Sequence, residues 1–277
     1  MTINATGNRM TGDIARQSKL AQDIARTQVS ISTGKRLRTG SDDPVAAARV
    51  ARIGQTQSDR AVWRGNLSLG ASLAAQADSV LASLSDRMVQ ARTQMVAGAS
   101  NTATAADRAT YAAELRSIAV DVADLRATKT PVGEPLFATG AATRMRVDTD
   151  VLLDPVARAA DVFERGGISL TQDLTDAAAA LDSGDATHIG TALARLGTAI
   201  DHVSDTAGDQ GLRAAQIDRL IDRQSVRDID LAAERSTLED TDLTTAIARL
   251  NAQQLTLDAA QAAFARINRR SLFDLLG

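Results

Sequence analysis

Both ends of this chain carry apolar side chains at every seventh position, and this repeat limits the possible folds more than any other feature. The N-terminal positions are Ile3, Met10, Ile24 and Ile31, with Gln17 in the missing place. The C-terminal positions are Leu243, Leu250, Leu257 and Phe264, with Ile247 and Ile267 beside them. A seven-residue repeat places side chains along one narrow face of a helix, which a single partner helix can cover. We therefore expect two helices, over 3–32 and 241–270, that pair with each other.

The composition favours helices throughout. Of the 277 residues, 53 are alanine, six are aromatic and four are proline. Alanine is the strongest helix former, whereas so few aromatic side chains do not fill a thick globular core or line a ligand pocket. Long, thin helices that pack side by side fit this composition.

Turn-forming residues divide the chain between the two terminal helices. Residues 32–44 contain two glycines and end at Pro44, which suits the first turn of a helix, and no helix breaker follows before Gly98. We expect helices over 44–98, 103–128, 170–181 and 185–235, the last with an interruption at Gly208 and Gly211. Residues 130–167 are punctuated by prolines and glycines and partly alternate between apolar and polar, which indicates a small element of strand and turn.

These patterns predict a mainly α fold. It is a long-helix bundle with paired N- and C-terminal coiled-coil helices and a small β-hairpin-like insert in the middle. Residues 1–40 and 236–277 are expected to form the terminal arm, 41–129 and 168–235 the bundle core, and 130–167 the insert.

Residues suited to catalysis or ligand binding are sparse and scattered. The chain has no cysteine, which excludes disulfides, thiolate nucleophiles and Cys-ligated metal sites. His188 and His202 lie about 21 Å apart along one expected helix, too far to share a metal ion. The adjacent Asp42 and Asp43 lack the loop of a calcium site, and helix capping explains them. We therefore expect no enzyme activity, no metal and no cofactor.

Charge and hydropathy argue against two further kinds of partner. The formal charge is -3, from 31 basic and 34 acidic residues, with no basic stripe for nucleic acid. No apolar run approaches the ~20 residues of a membrane span, and the N-terminus lacks the apolar core of a signal peptide. We expect neither nucleic acid nor a membrane as partner, and export would need a route without a cleaved signal.

The terminal motifs resemble those of the flagellin superfamily. Residues 29–37 read VSISTGKRL and residues 41–44 read SDDP, followed by an alanine-rich helix. Residues 238–243 read LEDTDL and residues 271–276 read SLFDLL. Residues 133–137 read GEPLF, where the family commonly has a Gly-x-x-Leu-Phe turn. The motif sequences at both ends are closer to those of the hook-filament junction members, the FlgL-type hook-associated proteins, than to those of filament flagellins.

The resemblance implies a structural subunit of the bacterial flagellum that joins the hook to the filament. Such a subunit is exported by the flagellar type III apparatus without a cleaved signal peptide and works outside the cell. The implied partners are other copies of itself in a ring, a neighbouring hook-associated protein, flagellin and a cytoplasmic export chaperone. A short filament flagellin is the main alternative, and an unrelated helical regulator or enzyme is the third.

The candidate assembly residues are the two apolar seams and the apolar end of the chain. Beyond the seam positions given above, they are Leu272, Phe273, Leu275 and Leu276. Apolar side chains crowded into a chain end are expected to bury against neighbouring subunits or a chaperone, or else to fold back onto the N-terminal arm. The residues of the family-motif turn are Thr33, Gly34, Ser41, Asp42, Asp43 and Pro44.

Overall fold

The computed structural model describes the backbone of residues 3–273 and the side chains of residues 10–266. The fold is 77% helical, which confirms the mainly α class. The helices of the described residues are α1 (Ile3–Thr33), α2 (Pro44–Gly98), α3 (Ala105–Arg126), α4 (Ala159–Phe163), α5 (Leu170–Ser183), α6 (Ala186–Glu239) and α7 (Leu243–Phe273).

The chain divides into two compact units. Unit 1 contains Met1–Gln57 and Asp228–Gly277, and unit 2 contains Ser58–Arg227. Helices α2 and α6 are 55 and 54 residues long, and each continues from one unit into the other. The two terminal helices, α1 and α7, belong wholly to unit 1.

In unit 1, α1 and α7 pack against each other as an antiparallel pair. The Thr27 hydroxyl contacts the side-chain oxygen of Gln253 at 3.1 Å. Further from the motif turn, Leu20 lines a cleft together with Ala260 and Phe264. The two helices therefore run in opposite directions, and the two seams predicted from the sequence belong to paired helices.

Unit 2 contains the main apolar core. Helices α2, α3, α5 and α6 supply most of its fully buried side chains, which include Leu81, Leu84, Met88, Met95, Leu115, Leu174, Leu181 and Leu196. Phe137 and Phe163 pack edge to face in the same core, with ring centroids 5.3 Å apart. Burying such side chains completely stabilises a fold by about 1.5–3 kcal/mol each.

Local capping sets the helix boundaries inside unit 2. The Thr104 hydroxyl accepts a hydrogen bond from the backbone N–H of Asp107, while the Asp107 carboxylate accepts one from the backbone N–H of Thr104. This reciprocal capping box begins α3. The Ser169 hydroxyl caps α5 by accepting the backbone N–H of Gln172 at 3.1 Å, and α5 ends at Gly184, whose φ is +67°.

The segment between α3 and α5 forms two small antiparallel hairpins. Strand β1 (Met145–Arg146) pairs with β2 (Leu152–Leu153), and β3 (Glu164–Arg165) pairs with β4 (Ile168–Ser169). Strand β1 lies in the alternating stretch 144–151, and the chain turns after it, where the N–H of Val147 donates to the carbonyl of Val151 at 3.0 Å. This is the small element of strand and turn that the sequence predicts.

Buried glutamines of α6 hold the β1–β2 segment through its backbone. Gln210 is completely buried and donates to the carbonyl of Pro155 at 2.9 Å, and Gln224 donates to the carbonyl of Val147 at 3.1 Å. Arg60 of α2, also buried, donates to the backbone carbonyl of Gln224 at 2.7 Å. Each donated bond spares a buried nitrogen a desolvation cost of about 1–3 kcal/mol, whereas Oε1 of Gln224 is buried and has no hydrogen-bond partner among the described residues.

The predicted interruption at Gly208 and Gly211 is wrong, because α6 runs without a break from Ala186 to Glu239. Each glycine weakens a helix by about 1 kcal/mol relative to alanine. Around them Thr206 and Gln210 are buried, and Ile217 is completely buried. The free energy gained from this tertiary packing exceeds the cost of placing the two glycines in a helix.

Helix α2 is long and apolar enough, by length and composition alone, to cross a membrane, which the sequence patterns did not predict. Core helices of soluble proteins pass the same test. Several side chains of α2 belong to the core of unit 2, among them Leu84 and Met88, and its Arg87 forms an ion pair with Asp121 of α3. We therefore assign α2 to the helical bundle.

Candidate assembly site

The first half of the family-motif turn ends α1 and starts a short pairing with the C-terminal segment. Thr33 donates its hydroxyl hydrogen to the carbonyl of Val29, and Gly34 then adopts a left-handed conformation with φ of +69°. This conformation is easy only for glycine. The Gly34 carbonyl accepts the N–H of Thr241 at 2.8 Å, and Lys35 forms an antiparallel bridge with Asp240.

The second half of the motif starts α2. The Asp42 carboxylate accepts the backbone N–H groups of Thr39 and Arg38, which lowers the pKa of Asp42. The Asp43 carboxylate accepts the N–H of Ala46 at 3.0 Å and so caps the helix that begins at Pro44. Proline suits this place because its missing N–H has no partner in a first helical turn.

Ser41 completes the turn through its side chain. Its hydroxyl lies 2.8 Å from the hydroxyl of Thr39, within hydrogen-bond distance. The six residues of the predicted motif turn therefore extend from the last residue of α1, Thr33, to the first residue of α2, Pro44.

Glu239, at the end of α6, is the buried centre of this contact. It is 8% exposed, and its carboxylate accepts hydrogen bonds from Lys35 Nζ at 2.8 Å and from Arg235 Nε at 3.1 Å. The bond from Lys35 is the main reason why the pKa of Glu239 is lowered. The Glu239 backbone carbonyl accepts the N–H groups of Arg36 and Leu37 at 2.7 and 3.2 Å.

A second ion pair of unit 1 joins α2 to α6. Arg49 donates to the carboxylate of Glu234 from two nitrogens, at 2.5 and 2.8 Å. This bond lowers the pKa of Glu234. Together with the Glu239 cluster, this pair connects the motif turn and the beginning of α2 to the last turns of α6.

The C-terminal seam residues divide into a covered and an uncovered set. Leu250, Leu257 and Phe264 are half-buried, whereas Leu243 and Ile247 are 49% and 47% exposed. Ala246, one turn before Leu250, is buried. The α1–α7 pair therefore covers the middle of the seam and leaves its first turn uncovered.

The N-terminal seam shows the same division. Ile24 is buried and Ile31 is half-buried, whereas Met10 is 45% exposed. Ile14, a residue outside the predicted seam, is also exposed. One α1–α7 pair thus leaves apolar surface free on both helices.

Several predicted assembly residues fall outside the described side chains. The backbones of Ile3, Ile267, Leu272 and Phe273 belong to α1 or α7, but their side chains lie outside the described set. Leu275 and Leu276 lie outside the described residues altogether.

The predicted site residues do not include the charged cluster. Lys35, Arg36 and Glu239 stand inside the quoted family motifs, but Arg235 carries no such signal. The position of Glu239 shortly before the seamed helix α7 was the available clue, since backbone groups at a helix end need polar partners.

Within the described residues, no group of three or more His, Asp or Glu side chains is placed to hold a metal ion. His188 donates its backbone N–H to the Asp185 carboxylate at the start of α6, which places this histidine in a helix cap. The Glu239 cluster and the Arg49–Glu234 pair of unit 1 make hydrogen bonds between chain segments. The arrangement is suited to holding helices together.

The terminal regions match the models of a protein family. The model of the bacterial flagellin N-terminal helical region matches residues 9–140, and that of the bacterial flagellin C-terminal helical region matches residues 193–276. Comparison with curated proteins gives no significant match.

Solved structures have a similar fold. A Vibrio parahaemolyticus protein assigned as a flagellar hook-associated protein matches with a TM-score of 0.65 at 16% identity, over 72% of this chain and 100% of that chain. Bacillus cereus FlgL matches with a TM-score of 0.57 at 13% identity, over 67% of this chain and 99% of its own. The flagellar junction protein FlgL from Legionella pneumophila matches with a TM-score of 0.57 at 13% identity, over 69% and 100%.

At these identities the structural likeness establishes the fold, while the two sequence models establish the family. Together those models match more than three quarters of the chain, including most of α1 and all of α7. The matched regions contain the motif turn and the Glu239 cluster that join the two ends. The chain belongs to the bacterial flagellin family.

Proposed function

We propose that this protein is a structural subunit of the bacterial flagellum that joins the hook to the filament. The observation that carries the proposal is the fold, which matches 99% to 100% of the length of solved hook-associated and junction proteins. Membership of the flagellin family supports a flagellar component. The sequences of the motifs at both ends favour the junction subunit over a filament flagellin.

The proposal includes the route and the partners. The subunit leaves the cell through the flagellar type III apparatus without a cleaved signal and works outside the cell, in a ring of its own copies. It contacts a neighbouring hook-associated protein and flagellin, and a chaperone holds it in the cytoplasm before export. It has no enzymatic activity, in line with the family and with the structural use of its charged groups.

We also propose that the uncovered seam residues form part of the assembly surface. Met10, Leu243 and Ile247 are each close to half exposed in the single chain, although they continue the seams that pair α1 with α7. A Leu243→Ser, Ile247→Ser variant should keep its helix content and lose incorporation into the flagellum. A variant with Val120→Ser and Val132→Ser, two exposed residues of unit 2, is the matched control and should assemble.

Electron microscopy of a strain that lacks the gene tests the proposed function. We expect hooks without filaments and flagellin lost to the medium, and both defects should be repaired by the wild-type gene. A strain that still builds normal filaments from another flagellin would overturn the junction proposal.

A short filament flagellin is the second candidate, favoured by the match of both terminal regions to the flagellin models themselves. Purified subunits of that kind form long filaments alone. Incubation of the purified chain with sheared filament seeds separates the two candidates. Growth of long homopolymers would favour the flagellin, and failure to elongate would favour the junction subunit.

A further inference from the structure

The β1–β2 hairpin, residues 144–153, lies on the helices of unit 2 with few buried side chains. Of these residues only Val147 and Leu153 are buried. Both belong to an apolar cluster that is separate from the main core and whose other large members are Leu67, Ile217 and Leu220. The hairpin therefore covers a short apolar surface where α2 and α6 meet, and it contributes no residue to the main core.

Polar bonds from both long helices hold the hairpin at its rim. Asn66 of α2 donates to the backbone carbonyl of Arg146 at 2.7 Å. Arg227 of α6 donates to the carboxylate of Asp148 at 2.9 Å. Because Arg146 and Arg227 are exposed, water competes for both bonds and makes them weak.

The buried bond beneath the hairpin leaves one polar atom without a partner. Gln224 is 5% exposed, and its nitrogen donates to the carbonyl of Val147 at 3.1 Å. Its Oε1 is buried and accepts no hydrogen bond from the described residues. A buried acceptor without a partner has lost its hydration and gained nothing in return, which destabilises the closed position of the hairpin. Opening of the hairpin would let water reach this oxygen.

The two ends of the hairpin are attached differently. On the N-terminal side, the backbone groups of residues 139–143 make no hydrogen bond to other backbone groups of the described residues, and Gly140 lies within this stretch. On the C-terminal side, the carbonyl of Pro155 accepts a hydrogen bond from the buried Gln210 at 2.9 Å. The first end can therefore bend while the second stays fixed.

An open pocket lies beside the hairpin. Its volume is about 500 Å³, and its walls include Met145 of the hairpin, Leu69 and Leu73 of α2, and Pro131 and Pro135 of the preceding turn. Interiors that are closed for good are packed without spaces of this size. The hairpin has room to move on this side.

We propose that residues 144–153 form a lid that opens as a unit while the helices of unit 2 stay folded. The lid turns on residues 139–143, and Pro155 stays bound to Gln210. Bonds within the lid move with it, such as the bond from the N–H of Val147 to the carbonyl of Val151. Opening joins the pocket to the apolar surface of α2 and α6 that the closed lid conceals. The proposal concerns the isolated chain and does not depend on the proposed function.

Thiol labelling measures the opening, because the chain has no cysteine of its own. Val147→Cys places a thiol under the lid, and Val122→Cys, in α3, places a matched thiol in the main core. Both valines are at most 1% exposed. In the purified full-length chain, with helix content checked by circular dichroism, dithiobis(nitrobenzoate) should label Val147→Cys at least about tenfold faster than Val122→Cys. Equal rates would overturn the proposal.

Low concentrations of urea separate local opening from global unfolding. Opening of the lid exposes little surface, so the labelling rate of Val147→Cys should change little with urea. The labelling rate of Val122→Cys should rise steeply, because that thiol is reached only when the core unfolds. An equally steep rise for Val147→Cys would show that the hairpin opens only with the whole bundle, and the proposal would fail.

Removal of the rim bonds tests what holds the lid closed. Asn66→Ala with Arg227→Ala should accelerate the labelling of Val147→Cys about tenfold, since two hydrogen bonds of the closed lid are lost. The labelling of Val122→Cys should not change. Equal acceleration of both thiols would mean that the whole of unit 2 is destabilised and would contradict a separate lid.

A matched control removes two similar bonds elsewhere in unit 2. Gln172→Ala removes an amide bond to Asp176, and Arg116→Ala removes an ion pair with Asp182. This double variant should leave the labelling of Val147→Cys unchanged. Acceleration as large as that of the rim variant would contradict the role given to the rim bonds.

A single substitution tests the hinge. Gly140→Ala adds a methyl group with no atom within 4 Å of it and restricts the backbone of the bending segment. It should slow the labelling of Val147→Cys about two- to fivefold. Gly190→Ala, an equally uncrowded change in α6, should have no effect on this rate. A rate that responds to neither or to both substitutions would overturn the hinge at residues 139–143.

Discussion

Replacing Glu239 by Gln should loosen the contact between the motif turn and the end of α6. The buried carboxylate accepts hydrogen bonds from Lys35 and Arg235, whose side chains are 50% and 43% exposed. Hydrogen bonds to charged groups contribute about 1.5–3 kcal/mol when buried, and exposed ion pairs about 0–1 kcal/mol. Because both partners are half exposed, we expect a combined loss of about 1–2 kcal/mol.

Amide hydrogen exchange measures this loss at the contact itself. The N–H of Thr241 is bonded to the Gly34 carbonyl and that of Arg36 to the Glu239 carbonyl, so both exchange only when the contact opens. A loss of about 1–2 kcal/mol should accelerate their exchange about 5- to 30-fold. Glu114→Gln, on the exposed surface of α3, is the control. Unchanged exchange at Thr241 and Arg36 would refute the role assigned to Glu239.

Acid should remove the difference in amide exchange rates between the Glu239→Gln variant and the wild type. The bond from Lys35 lowers the pKa of Glu239 below its ordinary value of 4.5. A lowered pKa in the folded state means that the carboxylate stabilises the contact above about pH 4.5 and loses this effect as the pH falls through the lowered value. The ratio of variant to wild-type exchange rates should therefore fall toward one in acid. A ratio independent of pH would contradict the ionic explanation.

Three further predictions concern the arm. Gly34→Ala should accelerate exchange at the motif turn by an amount equivalent to about 1–2 kcal/mol, because alanine is strained at a φ of +69°. Gly12 lies in the interior of α1, and no atom lies within 4 Å of the methyl group that alanine would add. Gly12→Ala should therefore slow exchange within α1. Slower exchange in Gly34→Ala together with faster exchange in Gly12→Ala would contradict the roles given to the two glycines. A triple variant with Leu250→Ala, Leu257→Ala and Phe264→Ala should lose incorporation into the flagellum while circular dichroism shows a folded unit 2. Normal motility of this variant would show that the covered seam is dispensable.

The helices at both ends were predictable because their signals are local. The seven-residue repeat predicts α1 and α7, and the break ending at Pro44 predicts the start of α2 to the residue. Proline at a first helical turn and glycine at a helix end act through their own backbones. Signals of this kind do not depend on the rest of the fold.

The parts that escaped prediction depend on distant packing. Continuity of α6 through Gly208 and Gly211 requires the burial of side chains against other elements. The use of Gln210 to hold the backbone of Pro155 depends on two segments meeting in the folded chain. Glu239 stands in a family motif, but its lowered pKa comes from Lys35, 204 residues away. Sequence periodicity contains no information on such contacts.

Immunogold electron microscopy of intact flagella tests the central claim most directly. An epitope tag in the exposed turn at Val132, outside the terminal arm, allows the assembled subunit to be labelled. The account predicts a single band of label at the boundary between hook and filament, and none along the filament. Label along the whole filament, or its absence from the flagellum, would contradict the account.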